Sequence, residues 1–290
     1  MHRLLGGILV LLLTLSVVAD ANGQDKPGTP AEQYKSLLKE RDRASGSGVP
    51  LTDAERLKFV GRVYNLRNAL AAKFLELAEK HPNDPVTLDA LMQAVWQVNT
   101  TPWPVELVGE DTARARAFKL IQRDHIRSDK LGPLCQRISY GFCKEYETFL
   151  RAVAAKSPHK TIRATASLSL GHYLNNRRQR IDLCQEKPDL AKQFGALYGK
   201  EYVADLLKQD RGKAVKEVEA VFEQAAEKYG DVKLDSETIA DRAKAELFEI
   251  RHLSVGKEAQ EIEGEDQDGK QFKLSDYRGK VVLLDFWSFV

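Results

Sequence analysis

The sequence has little net charge and few cysteines, and each shortage removes a class of function. Lysine and arginine number 44 against 42 for aspartate and glutamate, a formal charge of +2. With neither sign predominating, the chain lacks the basic footprint of a nucleic-acid-binding protein and has no acidic tail. Cys135, Cys143 and Cys184 are the whole cysteine supply. No two form a Cys-x-x-Cys pair, and none stands at zinc-ligand spacing from another ligand. Cys135 and Cys143, on one straight helix, would be separated by about 12 Å of rise, too far for a disulfide unless Gly141 breaks that helix. The odd count leaves at least one thiol unpaired, and the expectation is buried structural cysteines. The histidines form no His-Glu-x-x-His, and His81, His159 and His252 fall at expected helix ends, where capping a carbonyl is commoner than chemistry. There is no glycine-rich phosphate loop, serine elbow or paired-carboxylate signature. The long middle of the chain therefore offers no catalytic, metal or cofactor site of its own.

Long apolar runs are also scarce. One opens the chain: His2 and Arg3 precede the apolar stretch Leu4 to Val18, and Ala19-Asp20-Ala21 has the small-x-small form of a signal-peptidase site. About 15 apolar residues are fewer than the roughly 20 that span a bilayer. Residues 1–23 are therefore predicted to be a cleaved signal peptide, with the mature protein periplasmic or secreted and without a stable membrane span. The polar, Gly- and Pro-containing stretch from Asn22 to Pro30 is expected to be a tether.

What remains is enough to build a core, since 43% of residues are hydrophobic, and its periodicity is helical. Thr52-Asp53-Ala54-Glu55 has the form of a capping box. Apolar positions from Leu57 to Ala78 recur at steps of three and four, predicting a helix that runs to Lys80. His81-Pro82-Asn83-Asp84-Pro85 stops it and starts the next, with Asp84 as cap and Pro85 in the first turn. Three segments echo one another: FLELAEKHP from Phe74, FLRAVAAKSP from Phe149 and FEQAAEKYG from Phe222, spaced 75 and 73 residues apart. Each is expected to end a helix before a turn and another helix. The organisation is similar in principle to stacked helical hairpins of the tetratricopeptide type, although the period and signature residues differ, and an irregular bundle is the alternative. Trp103, in the proline loop Asn99 to Pro104 that also carries a glycosylation sequon, is expected to tuck over a helix. The cluster Asn176-Arg177-Arg178-Gln179-Arg180 is expected to be a solvated helix end that complements the dipole.

After Leu253 the character changes. Residues Ile262 to Leu274 alternate around Asp268-Gly269, the signal of a β-hairpin in which both turn residues take positive φ. Ser275-Asp276-Tyr277 suits a short helical turn, and Arg278-Gly279-Lys280 a reversal. Val281 to Trp287, VVLLDFW, is predicted to be a strand buried on both faces.

That order, Asp-Gly-Lys-x-Phe-x-Leu-Ser-Asp-Tyr-Arg-Gly-Lys followed by VVLLDFW, closely resembles the entry to the redoxin domain of TlpA-like thiol–disulfide oxidoreductases and of the related thiol-specific antioxidant peroxidases. The resemblance covers roughly residues 253–290. It implies a thioredoxin-like α/β domain whose substrates are protein thiols and disulfides or a peroxide, with no cofactor and no metal. In the family a Cys-x-x-Cys follows the strand at a helix N-terminus, where the dipole lowers the thiol pKa. The resemblance makes Asp285 the buried acid that accepts a proton beside the redox pair, and Trp287 the aromatic that shields it. Here the sequence runs from Trp287 through Ser288, Phe289 and Val290 without reaching those cysteines. The expectation is a truncated form, from a premature stop, a frameshift or an incomplete sequence, with no complete catalytic set. The apolar strand is then an aggregation hazard or a template for another chain.

The fold expected is thus mainly α: an irregular helical-hairpin array or bundle over 24–253, then the incomplete β-rich start of a thioredoxin-like domain over 254–290. The function expected is that of an exported thiol–disulfide oxidoreductase or thiol peroxidase family member lacking its redox cysteines. The rival reading is a non-enzymatic helical scaffold that binds a protein partner. No nucleic-acid partner is expected.

Overall fold

The computed structural model describes residues 28–44, 53–99 and 112–285. Residues 1–23, expected to be a signal peptide, Thr52, Trp103 with most of its proline loop, and Trp287 lie outside the described residues. The protein is mainly helical, with four short antiparallel strands near the C-terminal end.

The three echoing segments are the frame of the fold. Helix α1, Pro30–Ala44, packs on α2, Asp53–Lys80; α2 turns into α3, Thr87–Asn99. The second echo is α6, Lys144–Lys156, turning into α7, Lys160–Glu186, and the third is α10, Arg211–Tyr229, turning into α11, Ile239–Phe248. Phe74, Phe149 and Phe222 hold equivalent places near the ends of α2, α6 and α10, and each is at most 1% exposed. Burying a phenylalanine side chain contributes on the order of 1.5–3 kcal/mol. Neighbouring hairpins therefore depend on each other for these rings.

The contacts that join the hairpins are specific. Tyr34 of α1 meets Phe74 edge-on at 5.9 Å between ring centroids. Helix α4, Ala113–Leu120, brings Phe118 to 5.1 Å from Phe149 and 5.4 Å from Tyr146, binding the first hairpin to the second. The second meets the third at Gly171 of α7. A Cβ on Gly171 would come within 2.5 Å of the Phe222 ring, so only glycine lets α10 approach this closely.

Local chemistry sets the turns. Between α2 and α3, Asp84 Oδ1 accepts the Val86 amide at 2.9 Å, and the Thr87 hydroxyl donates to the His81 carbonyl. Asp84 thus shapes the turn and does not cap the helix as expected: Pro85 and Val86 belong to that turn, and the helix starts at Thr87. Between α10 and α11, the strands β1, Lys233–Leu234, and β2, Glu237–Thr238, reverse the chain, and a Thr238–Asp241 capping box opens α11. Helix α4 continues as a π turn over Ile121–His125, and a 3-10 turn over Asp129–Leu131 leads into α5, Gly132–Ile138. Helices α8, Pro188–Tyr198, and α9, Lys200–Leu207, fold back on α7 and close a separate apolar cluster of Phe142, Ile181, Val203 and Leu206.

The last helical turn, Glu249–Leu253, is a π turn, and beyond it the chain carries little cover. Strands β3, Glu263–Glu265, and β4, Gln271–Lys273, pair antiparallel with Gly264 opposite Phe272, followed by a 3-10 turn over Leu274–Tyr277. The hairpin loop differs from the two-residue turn that Asp268-Gly269 predicts. Gly269 has φ +74°, but Asp268 stays at negative φ. The reason is Asp266, whose Oδ1 accepts the amides of Asp268 and Lys270, each at 2.9 Å. Its own amide donates to the Lys270 carbonyl, so the loop runs from Asp266 to Lys270. The strand expected over Val281 to Trp287 is not formed across its described part. Residues 281–285 belong to no sheet and are exposed, because no neighbouring strand lies there to receive them.

Candidate functional site

A partly buried cluster of polar side chains lies where α5 gives way to α6. The connection from Ser139 to Cys143 crosses α7 without regular structure, so its carbonyls need partners from outside the backbone ladder. All five receive one. Asn176 Nδ2 donates to the Ser139 carbonyl at 3.1 Å, and Arg180 donates to those of Tyr140 at 2.8 Å and Gly141 at 3.1 Å. Tyr202 OH donates to the Phe142 carbonyl at 3.1 Å, and Tyr173 OH to that of Cys143 at 2.8 Å. The two phenol oxygens are 3.2 Å apart.

The arginine cluster is therefore not the solvated helix end that its charge suggests. It lies inside α7, and Arg177 is buried. Arg177 ion-pairs with Glu147 of α6 and lies over the Tyr173 ring at 5.5 Å. Glu147 also accepts from Arg151 Nε at 2.9 Å, and Arg151 reaches Glu217 of α10 at 2.6 Å. Arg178 and Arg211 share Asp182, at 2.9 and 3.1 Å. Burial alone would raise the Glu147 pKa, but Arg177 and Arg151 outweigh it and hold the carboxyl below its ordinary value. Arg177, Arg178, Asp182, Arg211 and Glu217 line a cleft between α7, α9 and α10 whose floor includes Leu174, Ile181 and Leu206. Every guanidinium named here already has a carboxylate or carbonyl partner, so the arrangement ties helices together.

No activated nucleophile stands in this centre. Cys135, Cys143 and Cys184 are all free and buried. Burial pushes the Cys135 thiol up to about 12. Cys143 stands at the N-terminus of α6 with Arg114 Nη1 3.0 Å from its Sγ. Burial nonetheless raises its pKa, with Arg114 opposing. Burial raises Cys184 as well, and Tyr146, Tyr173, Tyr198 and Tyr202 likewise. At neutral pH the thiols are protonated and the phenols neutral, so they hydrogen-bond and pack and do not attack. His159 is the N-cap residue of α7 but makes no side-chain cap bond there; its Nε2 lies 3.0 Å from the carbonyl of Arg127 in a turn 32 residues earlier. Among the described residues, no group of three His, Cys, Asp or Glu could hold a metal ion, and no helix is long and apolar enough to cross a membrane.

Of the two residues that the redoxin pattern singles out, Asp285 is exposed on the segment beyond the hairpin. The pattern gives it the role of a buried acid only within a completed domain, and here no sheet or helix covers residues 281–285. The clamp on the Ser139–Cys143 connection was the feature that charge alone concealed. Its signal was spacing: Tyr173, Asn176 and Arg180 recur at i, i+3 and i+7, one face of a helix. No protein-family model, no curated protein and no solved structure matches this chain.

Proposed function

We propose that this chain is an exported member of the TlpA-like thiol–disulfide oxidoreductase and thiol-specific antioxidant group, with a structural helical body and a tail that is the entry to a redoxin domain. The observation that carries the reading is the order of the tail: a β3–β4 hairpin, a 3-10 turn over Leu274–Tyr277, then the apolar segment Val281 to Leu284. Such a segment gains stability by joining a sheet, because its amides, carbonyls and both rows of side chains need neighbours. In a completed domain the substrates are protein thiols and disulfides or a peroxide, attacked by a thiolate that Asp285 serves as proton acceptor and Trp287 shields. The sequence holds no Cys-x-x-Cys, and the three thiols of the body are buried and protonated, so redox chemistry belongs to the domain and not to the body.

A second reading, a non-enzymatic scaffold that binds a protein, is favoured for the body alone by the Ser139–Cys143 clamp. There the buried polar groups hold the body's own chain and leave no reactive group. The experiment extends the chain after Trp287 with a Cys-Gly-Pro-Cys helix and the remainder of a redoxin fold. The extended protein should reduce insulin with dithiothreitol, and Asp285→Asn should slow it near neutral pH. A folded extended protein without activity would rule out the redoxin reading and leave the scaffold.

A further inference from the structure

The segment after the hairpin has a charge pattern of its own. Val281 and Leu283 are bare, at 103% and 93% exposed, whereas Val282 and Leu284 are half covered, at 41% and 46%. An alternation of two is that of an extended chain, whose successive side chains point to opposite sides. Lys280 precedes the four apolar residues and Asp285 follows them, and both are exposed. Positive, four apolar, negative is an order complementary to its own reverse.

Laid antiparallel against a second copy, with Val281 facing Leu284 and Val282 facing Leu283, the segment brings Lys280 of each copy opposite Asp285 of the other. Parallel pairing sets lysine beside lysine and aspartate beside aspartate, which cross-strand energetics oppose. We propose that Val281 to Leu284 is a self-pairing strand through which two copies of this chain associate antiparallel, with the two Lys280–Asp285 pairs fixing the register. Residues directly opposite in such a pair share one face of the ribbon. The bare Val281 and Leu283 of one copy therefore lie beside Val282 and Leu284 of the other, so the half-covered side of each copy continues over the bare side of its mate. Each strand also satisfies one open backbone edge. The inference does not rest on the redoxin reading, since a sheet that took up this segment would compete with self-pairing.

Charge reversal on the full chain tests it. Sedimentation equilibrium should show a dimer for the unaltered chain. Lys280→Asp places aspartate opposite aspartate at both ends, and Asp285→Lys places lysine opposite lysine. Each should raise the dimer dissociation constant about tenfold. Mixing the two variants restores opposite charges across a mixed dimer, so the mixture should regain the original constant, as should the double variant. Both side chains are exposed, and unchanged circular dichroism would exclude misfolding as the cause. A monomer at every concentration, a dimer indifferent to both reversals, or open-ended aggregation insensitive to charge would each overturn the proposal.

Discussion

The helical body and the tail treat their apolar side chains in opposite ways. In the body Phe74, Phe149 and Phe222 are closed off by adjoining helices, and a glycine is placed at 171 so that one ring can seat. In the tail Val281 and Leu283 stand fully in solvent. The polar groups divide in the same way. The five carbonyls from Ser139 to Cys143 are met by side chains of α7 and α9, some of them buried, whereas the tail's hydrogen bonds, such as those of Asp266, are local and exposed. The body is stabilised by contacts far apart in sequence; the tail is shaped by its nearest neighbours along the chain. A region of the second kind keeps its turns but has little core of its own.

The comparison can be broken most severely at a joint between hairpins. Phe222→Ala removes the ring that fills the space against Gly171, and it should cost about 3–5 kcal/mol in chemical denaturation. A loss below about 1 kcal/mol would mean that the third hairpin is held by something other than this contact.

A somewhat smaller loss is expected at the ion pair. Arg177→Met leaves Glu147 with Arg151 alone. Breaking a buried pair costs about 3–5 kcal/mol, but Glu147 is partly exposed, so about 2–3 kcal/mol is expected. The same carboxyl gives a pH dependence with a definite sign. Its folded-state pKa is depressed, so its contribution is fully present above the ordinary carboxylate range and is lost as pH falls through the folded value. Stability should therefore decline on acidification below about pH 4.5, the ordinary value for a glutamate side chain. Glu147→Gln should flatten that part of the profile, and an unchanged acid slope would remove Glu147 from the account.

The smallest effect is expected at the boundary. Residues 24–253 should unfold in one cooperative helical transition, within about 0.5 kcal/mol of the full chain, because the tail covers little of the core. A coil-like circular dichroism spectrum for 24–253 would show that the tail is needed for the body to fold.

The two regions also differ in how legible they were in sequence. The end of α2 at Lys80 and the helix–turn–helix at each echo follow from apolar spacing, which depends on the helical period alone. The Asp268-Gly269 hairpin was legible from its turn dipeptide and the alternation around it, although Asp266 captured the loop amides and lengthened the turn. Arg177 was misread because charge is a poor guide to burial once a carboxylate on another helix is available, and Glu147 lies 30 residues away. For Val281 to Leu284 the apolar run made a strand legible, and the open edges expected of an incomplete domain agree with a segment that is exposed and in no sheet. Asp285 is exposed on the same segment.

The claim that the body is structural and the chemistry belongs to a redoxin domain is tested most directly by the full chain in an insulin-reduction assay with dithiothreitol. The account expects no rate above the uncatalysed one, because Cys135, Cys143 and Cys184 are buried and protonated at neutral pH. Catalysed turnover that disappears in Cys143→Ser would make the thiol beside Arg114 a redox centre and contradict the account.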